Sequence, residues 1–188
     1  LACLALLLPM PLSAQTDPWS QADAIVANIK KVNFPDRQVS IVDFGAVANN
    51  PLELAHDAIN LAILDMNQKG GGTVVVPADT FYTGPITLKS NVRLHFQDGA
   101  VLRFTTEAEY YFPAVPTRWE GVDCNNTHPL IYAYGETNIA LTGKGVLDAQ
   151  GAPDRWWHIQ ARERKSTPEK LAPRLQLLRW GEEQLPLH

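Results

Sequence analysis

The chain has 188 residues, 45% of them hydrophobic and 19% charged, an ordinary globular composition with enough apolar material for one sizeable core. Sixteen Lys and Arg against twenty Asp and Glu leave a formal charge of −4, which excludes the basic field that gathers nucleic acid or anionic lipid. Residues 1–14, Leu1 to Ala14, carry no charge, are rich in leucine and end in Pro11-Leu12-Ser13-Ala14, a small-residue exit suited to signal peptidase. That stretch is short of the about 20 apolar residues that cross a bilayer. It is therefore expected to be a signal peptide, incomplete at its start, and the mature protein to be exported to the periplasm or the extracellular space, with no membrane span. Of the two cysteines, Cys3 leaves with the signal and Cys124 keeps no intrachain partner, so the core rather than a disulfide framework must hold the fold. His56, His95, His128, His158 and His188 show no metal-ligand spacing, and no metal site or cofactor is expected.

Residues 15–38 form an N-terminal segment in which Trp19, Ala22, Ile25, Val26 and Ile29 recur at the three- and four-residue spacing of a short amphipathic helix, stopping before Pro35. A strand-like Val39 to Val42 follows, with Gly45 allowing a sharp turn after it. Over residues 52–66, Leu54, Ala55, Ala58, Ile59, Ala62, Ile63 and Met66 fall on one helical face, with Pro51 suited to the first turn and Gly70-Gly71-Gly72 ending the helix. The triple glycine follows a helix and lacks the Lys-Ser/Thr of a phosphate loop, so it reads as a helix-to-strand turn.

From Thr73 the sequence becomes short strands cut by turns: Thr73 to Val76, Ile86 to Leu88, Val92 to Phe96, Val101 to Phe104, Leu130 to Tyr134, Ile139 to Thr142 and Val146 to Asp148. Parallel strands of a doubly wound sheet need crossover helices, and these strands recur too densely for them. A solenoid whose strands are the sides of stacked coils accommodates the spacing, with residues 39–151 as coils and the helix over 52–66 as the cap on their open end. Strand density alone also leaves a β-sandwich open.

Several phrases in this order resemble the glycoside hydrolases called polygalacturonases, glycoside hydrolase family 28. They are Ile41-Val42-Asp43-Phe44-Gly45-Ala46, the run Gly70 to Pro77, the run Thr83 to Val92, Asp98-Gly99-Ala100-Val101-Leu102, the run Asn138 to Gly145, and Thr117-Arg118-Trp119-Glu120-Gly121. Singly, several also suit other β-helix proteins such as pectate lyases and phage tailspikes. The resemblance implies a mainly β chain, the N-terminal part of a right-handed parallel β-helix of the pectin-lyase-like kind. It further implies hydrolysis of α-glycosidic bonds in pectin by an inverting acid/base mechanism in the full-length enzyme, acting as a monomer. The loop Val47-Ala48-Asn49-Asn50-Pro51 departs from the family's Gly- and Asp-rich turn. The family's Asn-Thr-Asp, Asp-Asp, Gly-His-Gly and Arg-Ile-Lys segments are absent between Leu1 and His188, so no catalytic residue is assigned in the chain, and the catalytic aspartates are expected beyond it. A lyase on the same scaffold and a non-catalytic polysaccharide-binding β-helix are the alternatives.

Inversion needs an acid and a base about 6.5–9.5 Å apart, whereas Asp123 and Asp148 stand singly among turn residues and read as turn formers. Substrate contact is assigned to Arg118, Trp119 and Glu120: a guanidinium holds the carboxylate of an acidic plant polysaccharide bidentately, and an indole stacks on a flat sugar face. The opposing reading has Trp119 packing the loop and Arg118 pairing with Glu120, since neighbours in extended chain point opposite ways. Trp156-Trp157-His158 is a second aromatic cluster that suits either a sugar platform or core docking. Residues 152–188 read as a charged helical insertion or truncated continuation, with Leu171, Leu175 and Leu178 at helical spacing and Pro168, Pro173 and Pro186 breaking it into short pieces.

Overall fold

The computed structural model describes residues 17–155 and 167–185; the signal assigned to residues 1–14 and the cluster Trp156-Trp157-His158 lie outside them. Two compact units are present, residues 1–31 and 32–188. In the first, α1 (Pro18–Asn28) starts with the Asp17 carboxylate accepting from the Trp19 N–H at 3.1 Å and with proline in the first turn, where no backbone donor is lost.

The second unit opens with β1 (Gln38–Ser40). The strand expected through Val42 stops at Ser40, because the Ser40 hydroxyl accepts from Val42 N–H while the Asp43 carboxylate accepts from Ser40 N–H, and this pair of caps winds Ile41–Phe44 into a 3-10 turn. α2 spans His56–Gln68 rather than beginning at Leu52. Asn50 takes the Leu52 N–H with its side-chain oxygen and Ala55 donates to Tyr82 O at 2.7 Å, so residues 50–55 are held as a turn before the helix, and Pro51 lies in that turn. The face Ala58, Ile59, Ala62, Ile63 and Met66 is buried against β1 and the strands that follow, closing the front of the core. Polar side chains fix the lid: Asn60 accepts from Thr87 N–H at 2.8 Å and donates to Pro85 O, and Asn67 donates to Ser90 O.

The coils run as β2 (Gly72–Val76), β3 (Asp79–Thr83) and β4 (Ile86–Thr87), then β5 (Val92–Phe96) and β6 (Ala100–Phe104), an inserted hairpin of β7 (Val115–Trp119) and β8 (Val122–Asn126), β9 (Ile131–Tyr132), and finally β10 (Ala140–Gly143) and β11 (Val146–Asp148). Successive turns of chain pair in parallel, β1-β2-β5-β10 forming one side, β3-β6-β11 a second and β4-β9 a third. This is a right-handed parallel β-helix, the hand that parallel crossovers take.

Register carries apolar side chains inward as rungs: Val74 beside Leu94 beside Leu141, and Phe81 beside Leu102 beside Leu147. Val74, Phe81, Leu94 and Leu102 are fully buried, whereas Leu141 and Leu147 on the last rung are 44% and 45% exposed. Outward neighbours pair along the same axis: Tyr82, Arg103 and Asp148 are in register, Arg103 Nε donating to Asp148 at 2.8 Å and its guanidinium lying over the Tyr82 ring. At the turns, Asn91 and Asn138 both take positive φ, which asparagine tolerates, and Asn138 Nδ2 donates to Asn91 Oδ1. Glu136 accepts from the Ser90 hydroxyl, from Lys89 and from the Ser90 N–H, and these bonds, the hydroxyl's first, hold its carboxyl below the usual range.

The expected break-up of the tail is corrected. α3 (Pro168–Glu182) is one helix with Pro173 inside it; Pro168 occupies its first turn, where the missing N–H costs nothing.

Candidate functional site

The long step between β6 and β9 carries the hairpin, and it is the hairpin that places the three residues expected to meet substrate. Trp119 pairs with Val122 across a two-residue turn, Glu120-Gly121, in which both residues take positive φ as a type I′ turn requires. One face of the ribbon then carries Thr117, Trp119, Val122, Cys124 and Asn126, and the other carries Arg118 and Asp123.

Trp119 borders a large cleft, about 1000 Å³, whose mostly apolar walls include Tyr111 and Leu130 and whose polar groups include Asn126, His128, Asp154 and Arg155. Tyr111 is buried and donates from its hydroxyl to Thr105 O at 2.7 Å; burial pushes its phenol up. His128 Nδ1 lies 2.6 Å from Pro129 O and Nε2 3.1 Å from Thr87 Oγ1. The first contact needs Nδ1–H as donor, leaving Nε2 to accept the Thr87 hydroxyl. Arg155 donates to Gln150 Oε1 at 2.9 Å, Gln150 donates from its backbone N–H to Asp148, and Asp148 binds Arg103. The Gln150 N–H first and Arg103 second hold the Asp148 carboxyl below its ordinary value. This relay anchors the rim of the cleft to the outer face of the coils, and it gives Asp148 a turn-fixing role.

Arg118 opens on the smaller cleft, about 380 Å³, with Asp123, Tyr132 and Tyr134. Its Nε donates to Gly121 O at 3.1 Å and lies 3.6 Å from Asp123. Glu120 does neither: both its oxygens accept from Arg174 of α3, at 2.7 and 2.8 Å, a bidentate pair that fastens the hairpin tip to the helix. Val122 supports the same junction, since a Cβ on Gly181 of α3 would stand 2.6 Å from its methyl carbon. The three expected contact residues are thus brought to one hairpin but divided among two clefts and an ion pair.

The residues missed from sequence are Arg174, Arg155, His128, Tyr132 and Tyr134. Only the last two had a readable signal, because alternate positions in the strand-like run Leu130 to Tyr134 share a face. Arg174 lies in a different element from its partner, and no local spacing connects them.

No family model matches the chain. A protein of Vitis vinifera described as a probable polygalacturonase is 29% identical over 126 residues, which are 63% of this chain and 25% of that protein. The hyperthermoactive exopolygalacturonase of Thermotoga maritima superposes with a TM-score of 0.79 at 32% identity, over 89% of this chain and 38% of that one. A polygalacturonase of Erwinia carotovora subsp. carotovora is similar in fold, with a TM-score of 0.52 at 23% identity over 72% of this chain and 37% of that one. The chain therefore spans well under half the length of each of these relatives.

Proposed function

We propose that the chain is an N-terminal part of a polygalacturonase-family protein and that the full-length protein hydrolyses α-glycosidic bonds in pectin, with inversion at the sugar carbon. The observation that carries this reading is the superposition of the coils and cap on the Thermotoga exopolygalacturonase over 89% of the chain. The described part supplies the front of the scaffold and a substrate-facing hairpin. Trp119, 46% exposed, offers an indole face to a sugar ring in the larger cleft, with the Arg155 guanidinium at the same wall to meet a uronate carboxylate. Arg118 presents its charge on the opposite face, and Glu120 meets the substrate indirectly, by locking the hairpin through Arg174. The acid and the base of that reaction are assigned to no residue of this chain, whose last described rung, Leu141 and Leu147, is half-exposed. An export signal at residues 1–14 brings the enzyme to a polysaccharide outside the cytoplasm.

Incubating the full-length protein with polygalacturonate tests the reaction type. Hydrolysis releases reducing ends with no ultraviolet absorbance from an unsaturated product; appearance of that absorbance in step with the reducing ends would make the protein a lyase, and no release of either would make it a binding module.

A further inference from the structure

The smaller cleft has the two features that an acidic sugar uses, on the side of the hairpin away from Trp119. Tyr132 and Tyr134 both line it, their rings stacked nearly parallel, 14° apart with centroids 6.4 Å from one another. The Tyr132 hydroxyl donates to Pro116 O at 2.6 Å, which holds that ring in place, while Tyr134 is 65% exposed. The same cleft is lined by Arg118, whose bonds to described residues all use Nε, toward Gly121 O and, at 3.6 Å, toward Asp123. That leaves the two terminal nitrogens without a bond to a described residue, a planar pair of the kind that takes a carboxylate through two parallel hydrogen bonds. Its volume of about 380 Å³ lies at the small-ligand end of binding clefts.

We propose that this cleft is a second carbohydrate site, binding one uronate unit of an acidic oligosaccharide, with the pyranose face on the exposed Tyr134 ring that Tyr132 backs and the carboxylate on the Arg118 guanidinium. The proposal rests on the pectin-active reading above and adds to it a site on the far face of the hairpin. A polymer held on both faces is gripped beside the groove as well as within it, which raises its effective concentration at the enzyme. The site is selective by charge. A neutral sugar forgoes the guanidinium, whereas a uronate gains it against the repulsion of Asp123 across the strand pair.

The test is calorimetric and NMR titration of the full-length protein with a galacturonate trimer and with a neutral galactose trimer. Wild type is expected to show two classes of galacturonate site, and Trp119→Ala to weaken only one of them. Arg118→Gln is expected to weaken the other about tenfold, the size of one lost charge-assisted contact. Tyr134→Ala is expected to weaken it as well, and Asp123→Asn to tighten it several-fold, a gain that a purely structural role for the Arg118–Asp123 pair does not give. Equal binding of the neutral trimer at this class, or indifference to both Arg118→Gln and Tyr134→Ala, overturns the proposal while leaving the hydrolase reading in place. Absence of galacturonate binding at every class, together with no hydrolysis, overturns both.

Discussion

Gly143→Ala is expected to lower the unfolding free energy by about 2–5 kcal/mol, combining about 1–2 for a side chain at positive φ with the cost of forcing atoms into packed surroundings. Gly143 ends β10 with φ 103°, and a Cβ built on it stands 1.9 Å from Phe96 O and 2.8 Å from the Phe96 carbonyl carbon. Those atoms belong to the neighbouring coil and also receive the Lys144 N–H, so they cannot move aside without breaking the contact between β5 and β10. Gly45→Ala separates the two costs. Its φ is 96°, yet nothing lies within 4 Å of the added carbon, so this variant should lose only the backbone share. Urea midpoints at unchanged slope measure both; equal losses at the two positions would show that the coils do not approach as closely at Gly143 as the register states.

Phe81→Ala is expected to cost about 3–5 kcal/mol, the range for emptying a fully buried aromatic site. Phe81 is fully buried on the inner face of β3, in register with Leu102, and no water-exposed edge lets the neighbours collapse into the space. Leu64→Ala on α2 is the control. Leu64 is 41% exposed on the side of the helix away from the core, and its loss should be within about 1 kcal/mol, as for an ordinary surface change. A Phe81 variant no less stable than the Leu64 variant would mean that the rung is not a core.

The rungs were legible in the sequence wherever apolar residues alternate between turn signals. Val92 to Phe96 and Val101 to Phe104 stand within a residue of β5 and β6 because Val92, Leu94 and Phe96, and then Leu102 and Phe104, point inward while Arg93, His95 and Arg103 point out. β3 was not legible. Its inward positions are Phe81 and Thr83, and the buried Thr83 hydroxyl is satisfied by donating to Gly84 O, so a polar residue fills a core position that an apolar pattern search passes over. The hairpin was missed for a related reason: Thr117 and Asn126 interrupt the face that carries Trp119, Val122 and Cys124, although the Glu120-Gly121 turn flanked by Trp119 and Val122 was a usable signal. α2 began later than its periodicity implied because the Asn50 side chain captures the Leu52 N–H, a local bond that competes with the first helical turn. Proline misled at residue 173, where the tail continues as a helix through it, carrying Arg174 to Glu120 and Gly181 to Val122. Arg118, Trp119 and Glu120 could be named from their chemistry, but their division between two clefts and an ion pair depends on the register of β7 with β8 and on a helix some fifty positions away in the chain.

Stacked parallel coils underlie both the cap and the placement of the hairpin, and engineered disulfides between outward positions measure that stacking directly. With Cys3 and Cys124 replaced by serine, Thr80→Cys combined with Val101→Cys joins register partners on adjacent parallel strands. Such strands lie about 4.7–4.9 Å apart, inside the Cα span that a disulfide bridges. This pair is predicted to oxidise readily with the fold intact, whereas Thr80→Cys with Val146→Cys, two strands apart, stays reduced. Closure of the second pair in preference to the first, or of neither, would contradict the parallel β-helix and with it the proposed placement of the chain at the front of a pectin-cleaving enzyme.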